Sequence, residues 1–292
     1  MKPASFEYHA PTTVDEALAL LQANGPDCRV LAGGQTLIPM MNFRLASPPV
    51  IVDLNRIPDL AYIKDHGDAV CIGAMTRQRA IEFSTVVADK LPVLTAAIKL
   101  VGHLPTRSRG TIGGSIANAD PAAELPMVLQ VLDGAVVVRG PKGQRTIAAS
   151  DLFQDAMTTS IAPDEILVEV RLPVMPAGAG FAIEEFARRH GDFAIAAVIA
   201  VILREGQGCA RARIATAGIS SHSERLRAAE QVLEQHGLGE DAIAQAAEAA
   251  AGAVEPLSDR QGSAAYRRQL TQVLTERAVR RAARHETDMS TT

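Results

Sequence analysis

RGTIGGSIANADPAAELP, residues 109 to 126, decides how this chain of 292 residues is read. It holds three glycines within five positions, Gly110, Gly113 and Gly114, followed by small residues and then by Asp120 and Glu124. Glycine costs backbone entropy unless φ must be positive or something passes close to the main chain, so the stretch predicts a close approach. A second glycine cluster, AGGQTLIP, occupies 32 to 39. Each cluster follows apolar sequence and sets unhindered amides beside a hydroxyl, Thr36 in one and Thr111 or Ser115 in the other. Consecutive N–H groups of this kind form anion-binding nests, and two such loops suit the two phosphates of a dinucleotide. Taken singly, either loop reads as well as a tight turn. The sequence has no Gly-x-Gly-x-x-Gly after its first strand and no Gly-x-x-x-x-Gly-Lys-Ser/Thr, which removes the Rossmann and P-loop readings.

Composition excludes several classes of function. The net charge of -4 and pI near 6.0 give no general attraction for nucleic acid or an acidic membrane. Cys28, Cys71 and Cys209 stand apart, with no Cys-x-x-Cys pair, so they predict buried thiols and no metal or cluster site within this chain. The opening MKPASFEYHAPTT lacks an apolar h-region and predicts a cytoplasmic protein. FAIAAVIAVIL, 193 to 203, is too short to span a bilayer and predicts a buried strand, with Phe193 at its start and its ring aimed either into the core or across a cleft.

Around these landmarks the chain alternates short strands and helices. TTVDEALALLQANG predicts a helix capped by Thr13, with Glu16 completing a capping box and Gly25 as its stop. CRVLA and PPVIVDLN read as strands, as does DAVCIGAM, and helical patterns cover about 76 to 89 and 91 to 101. Pro121 is placed to start a helix through ELPMVLQVL; AVVVRGPKGQRTIAA predicts a hairpin and EILVEVRLP a strand. PVMPAGAG, 173 to 180, reads as a linker. Beyond it a three-stranded antiparallel meander and three Ala-rich helices predict a separate α+β domain.

AGGQTLIPMM at 32–41, RGTIGGSIANADPAAELP at 109–126 and RRHGDFAIAAV at 188–198 together resemble the FAD-binding medium subunit of the molybdenum hydroxylases, the group that includes aerobic carbon monoxide dehydrogenase and xanthine dehydrogenase. The resemblance covers nearly the whole chain. It implies an α+β architecture: a two-lobed FAD-binding domain of the vanillyl-alcohol-oxidase-like type (PCMH-type) over 1–175, with lobes of about 1–57 and 58–175. A C-terminal domain of three-stranded antiparallel sheet plus helices over 178–285 and a tail at 286–292 follow. Carried over by position, Ala32, Gly33, Gly34, Gln35 and Thr36 fall on a first FAD loop flanked by Leu31, Leu37 and Ile38, and Thr111, Ile112, Gly113, Gly114 and Ser115 on a second. Asn118 and Glu124 fall on polar contacts to the cofactor, with Asp120 in the same segment, Leu167 on a lining strand, and Asp192 and Phe193 on the motif that reaches the isoalloxazine. The chain departs from the family at Gln35-Thr36, where His-Ser is frequent, at Ser108 and Ser115, where Asn is frequent, and at Glu124, where Asp is usual.

The same resemblance implies an electron-transfer role that needs no acid, base or nucleophile. FAD would sit in this chain, the molybdopterin cofactor on a large partner subunit, and two 2Fe–2S clusters on a small one, in a heterotrimer paired into a dimer of heterotrimers. A stand-alone FAD oxidoreductase of the same fold, with His103 or His190 near the ring, and a flavin-free assembly subunit remain open at this point.

Overall fold

The computed structural model describes residues 2–206 and 208–284; the tail anticipated at 286–292 lies outside them. The first lobe is built from β1 (Glu7–His9), α1 (Val14–Asn24), β2 (Cys28–Leu31), α2 (Leu37–Asn42) and β3 (Val50–Asp53). Its three strands are parallel in the order β1-β3-β2. Strand β1 and helix α2 are additions to the elements read from sequence, where three-residue and six-residue pieces carry too little periodicity to register. Thr13 caps α1 by accepting from the Glu16 N–H at 3.2 Å, and the Glu16 carboxylate accepts from the Thr12 N–H at 2.8 Å.

The second lobe comprises β4 (Ile63–Asp65), β5 (Ala69–Gly73), α3 (Gln78–Glu82), α4 (Thr85–Lys90), α5 (Pro92–Leu100), α6 (Leu104–Arg109), α7 (Ile112–Asn118) and α8 (Glu124–Val131). It continues through β6 (Ala135–Gly140), β7 (Gly143–Ala148), α9 (Ala149–Leu152), β8 (Phe153–Asp155), β9 (Thr158–Thr159) and β10 (Ile166–Pro173). Five of these strands form one sheet in the order β4-β5-β10-β6-β7. Three expectations change here. The pattern at 76–89 is broken at Phe83, because Ser84 accepts from the Val87 N–H and caps a new helix, α4. The glycine stretch 112–118 is helical, capped by Thr111. The helix expected from Pro121 begins at Glu124, because Ala119 adopts φ 49° and the Asp120 carboxylate holds Ala122 in a turn at 3.0 Å.

The C-terminal part carries β11 (Gly180–Phe186), β12 (Ala196–Glu205), β13 (Gly208–Ala217) and β14 (Glu224–Arg225) in one antiparallel sheet, followed by α10 (Arg227–His236), α11 (Glu240–Ala253) and α12 (Ala264–Ala283). The expected meander therefore gains a fourth, two-residue strand. Strand β12 explains its unbroken apolar sequence by being covered on both faces. Ala197, Ile199 and Val201 join the core of the second lobe, while Ala196, Val198, Ala200 and Ile202 pack against the C-terminal helices. The strand starts three residues after Phe193, which is thus left in a loop. The stretch read as a linker is tied down: the Val174 N–H donates to Asp68 and the Met175 N–H to Lys90. Among the described residues no helix is long and apolar enough to cross a membrane, and the three cysteines are free and buried.

Candidate functional site

A cleft of about 690 Å³ opens between the two lobes and is closed on one side by the C-terminal part. The two glycine clusters meet at its floor. A Cβ on Gly33 would stand 2.5 Å from the Arg109 carbonyl oxygen and 2.8 Å from the Gly110 Cα, so the two main chains are in direct contact. The Arg77 guanidinium fastens the junction by donating to the Arg109 carbonyl and to Asn55 Oδ1, while Asn55 Nδ2 donates to the Ala32 carbonyl at 2.9 Å. Neither Arg77 nor Asn55 carried a signal in the sequence, since each lies outside the glycine motifs.

The two loops differ in what they leave free. Gly34 adopts φ +71°, and the amides of Gly34, Gln35 and Thr36 donate to no backbone carbonyl among the described residues. These three lie just before α2 and line the cleft, which makes a nest of N–H groups. In the second loop the corresponding donors are already used. Ile112 N–H donates to Thr76, Gly113 N–H to Ala74 and Ser115 N–H to Thr111, and the Gly114 N–H reaches the Thr111 hydroxyl at 3.1 Å. Gly113 lies against Ala74 so tightly that a Cβ would come within 2.5 Å of the Ala74 Cβ. The expectation that both clusters offer free amides is corrected for the second, whose amides are paired as it brings a helix onto the sheet, although Thr111, Gly113, Gly114 and Ser115 still line the cleft.

Most sequence-designated residues are brought together. Leu31, Ala32, Gly33, Gly34, Gln35, Thr36, Leu37, Thr111, Gly113, Gly114, Ser115, Asn118, Asp120, Glu124, Leu167, Asp192 and Phe193 all line the cleft. Two do not. Ile112 is 1% exposed and belongs to the core beneath α7, and Ile38 packs its side chain against Gly34 outside the lining. The remaining contributions were not legible in the sequence: Gln78 is buried at the wall with its Oε1 unpartnered among the described residues, and Met157, Thr159 and Pro163 come from the β8–β10 segment.

One wall is acidic and dry. Glu124, in the first turn of α8, is pushed up to about 8, first by burial and then by the carboxylate of Glu185 on β11. Burial raises Glu185 to about 7, and its Oε2 has no partner among the described residues. Asp120 is raised by burial as well. At about 8, Glu124 is mostly protonated at neutral pH and can donate a hydrogen bond where an ionised carboxylate only accepts. Across the mouth, Phe193 is 55% exposed, which excludes the reading of its ring as core. Gly191, at φ +84°, fits against the His103 imidazole, whose ring lies 6.2 Å from that of His190.

Residues 4–175 match the family described as FAD binding domain in molybdopterin dehydrogenase, and residues 181–282 match the CO dehydrogenase flavoprotein C-terminal domain. The chain belongs to the FAD-binding medium subunits of the molybdenum hydroxylases. This medium subunit is 42% identical to the 6-hydroxypseudooxynicotine dehydrogenase complex subunit alpha of Paenarthrobacter nicotinovorans, covering 97% of this chain and 96% of that one. It is 41% identical to the carbon monoxide dehydrogenase medium chain of Afipia carboxidovorans, over 97% and 98% of the two chains. The solved carbon monoxide dehydrogenase of Hydrogenophaga pseudoflava superposes with a TM-score of 0.96 at 38% identity, over 98% of this chain and 99% of that chain. The cleft of the medium subunit fits FAD on its own chemistry: its volume suits a cofactor-sized ligand, a nest of amides free of backbone partners suits a phosphate, and the apolar lining residues Leu31, Leu37 and Leu167 suit a ring system.

Proposed function

We propose that this medium subunit carries electrons from 2Fe–2S clusters on a small partner subunit to an external acceptor, the clusters being filled from a molybdopterin centre on a large partner. The three chains form a heterotrimer that pairs into a dimer of heterotrimers. FAD, when bound, supplies the exchange between one-electron and two-electron carriers. The protein's part is to hold, orient and shield. The observation that carries this reading is the asymmetric floor of the cleft, where the amides of Gly34, Gln35 and Thr36 are open toward the cleft and those of the second loop are paired within the protein.

In this reading the Gly34–Thr36 amides would hold a phosphate oxygen of FAD, and Gly114, with no side chain, would leave room for the cofactor at the start of α7. Ser115, Asn118 and Asp120 contribute polar contacts along the cofactor. Glu124, mostly protonated at neutral pH, would hold a hydrogen bond to the cofactor without adding a full negative charge to the cleft. Leu31, Leu37 and Leu167 exclude water, while Asp192 and Phe193 close the mouth from the C-terminal side. No group in the cleft has to act as nucleophile.

Isolation of the native assembly through a tag on this chain tests the proposal. We expect two further chains, together with FAD, iron and molybdenum. After FAD is stripped with a chaotropic salt, the organic substrate should still bleach the iron–sulfur absorbance while turnover with the acceptor stops. A single, active, partner-free chain would establish the stand-alone oxidoreductase in its place, and a colourless chain within the assembly would establish the flavin-free subunit.

A further inference from the structure

Phe193 and Asp192 reach the cleft on a loop, 187–195, that contains no helix or strand. An exposed ring held on such a loop needs an anchor, because a free loop would sample many conformers. The anchor lies behind it, on the segment that leads into α12. The ring of Phe186, just before the loop, meets Tyr266 edge-on at 6.2 Å between centroids. Arg188 Nη2 donates to the Arg260 carbonyl at 3.1 Å, and Gly262 backs onto Ile195. Arg267, one turn into α12 and 5% exposed, makes the central contacts. Its Nη1 donates to the Ile195 carbonyl at 2.6 Å and to the Gly218 carbonyl, and its Nη2 to Asp259 at 2.7 Å.

Gly218 extends the connection to the cleft wall. It adopts φ +74° with no room for a side chain, since a Cβ would stand 2.7 Å from the Ala194 carbonyl oxygen. Its N–H donates at 2.7 Å to the carbonyl of Pro121, which lies on the strip between Asp120 and Glu124. One guanidinium therefore grips the end of the Phe193 loop and, through Gly218, the Pro121 strip that carries Asp120 and Glu124. A buried cation is costly unless paired and hydrogen-bonded, and here its partners are the Asp259 carboxylate and two carbonyls of irregular backbone. The planar fork of arginine presents donors in fixed directions, which suits it to hold two segments in register.

We propose that Arg267, which does not touch the cleft, is a positioning residue for it: Arg267 locks the 187–195 loop against the Pro121 strip and so sets how the ring at 193 covers the bound cofactor. The proposal rests on reading the cleft as the FAD site.

The chain contains no tryptophan, so Phe193→Trp creates a sole reporter at the mouth. Time-resolved fluorescence anisotropy on the full chain, with and without Arg267→Met, reads the local motion of that reporter, and added FAD reads its proximity through quenching. With Arg267 in place the indole should rotate with the whole protein; Arg267→Met should add a fast local component and weaken the quenching. Leu274→Ala, in the core on the same helix, should lower the melting temperature without changing the anisotropy decay. Should Arg267→Met fail to fold, Asp259→Asn, which removes the carboxylate that orients the guanidinium, should give a smaller change of the same kind. An unchanged decay in the foldable variants, or the same change from Leu274→Ala, would overturn the proposal. Absence of quenching by FAD with Arg267 intact would count against the flavin reading alone, because the anisotropy comparison does not need the cofactor.

Discussion

Two glycine loops meet at one floor, yet their glycines answer to different demands. In the first, Gly34 is needed for its backbone angle, and the amides around it stay open toward the cleft. In the second, Gly113 is needed for contact with the protein itself, because Ala74 occupies the space of a side chain and the amides of α7's first turn are all paired. Similar letters thus give two outcomes, amides left open toward the cleft and helix-to-sheet packing. Gly33 stands between them: its missing Cβ is the contact with the Arg109–Gly110 backbone that joins the loops.

The strongest way to break this comparison is Gly113→Ala. Its Cβ would meet the Cβ, Cα and carbonyl oxygen of Ala74, so we expect a loss of stability of about 3 kcal/mol, the upper range for overpacking. If chemical denaturation showed no such loss and only FAD affinity fell, the second loop would be a ligand cradle after all. The acidic wall on the same side gives the next effect. Glu124 and Glu185 hold their protons to about 8 and about 7, against 4.5 in the unfolded chain. Between those values the folded state binds more protons than the unfolded one, so stability is greatest at the acid end of that window and falls as pH rises through it. The slope reaches about 1.4 kcal/mol per pH unit for each such group. Melting curves of the FAD-free chain should show the decline, and Glu124→Gln should flatten it; a stability that rises from pH 5 to pH 8 would contradict the dry wall.

Gly34→Ala should cost less than either. The new methyl group meets only the Ile38 and Leu31 side chains, and the positive φ costs about 1–2 kcal/mol for alanine. Flavin titration should show weakened FAD binding in a chain that still folds, the reverse of Gly113→Ala. The smallest effect on the fold belongs to Phe193→Ala: with the ring half exposed, stability should shift by less than about 0.5 kcal/mol. Reduced flavin should nonetheless react faster with oxygen, and an unchanged rate would remove the ring from the cover of the cofactor.

Much of this arrangement was legible because its signals are local. The Thr13 cap, the Gly140–Gly143 hairpin turn and the apolar run of β12 each follow from neighbouring residues. The position of Phe193 was legible only in part. Its motif marked it for the cleft, but periodicity placed it in the strand, because a continuous apolar run does not show where backbone pairing starts. The tertiary contributions were silent. Glu185 reads as an ordinary outward residue of a strand until α8 is packed against it, and Arg77 bridges two loops that are distant in sequence. Which glycine amides stay free likewise depends on Thr76 and Ala74, carbonyls that no motif includes.

The central claim is that the cofactor's phosphates are held by the amides of the first loop and not by those of the second. Amide NMR of the 15N-labelled chain during titration with FAD tests it residue by residue. The account predicts large downfield shifts for the Gly34, Gln35 and Thr36 N–H groups, with those of Ile112 and Gly113 nearly unmoved and slow to exchange before and after addition. Large shifts at Ile112 and Gly113, with Gly34 to Thr36 unmoved, would contradict it.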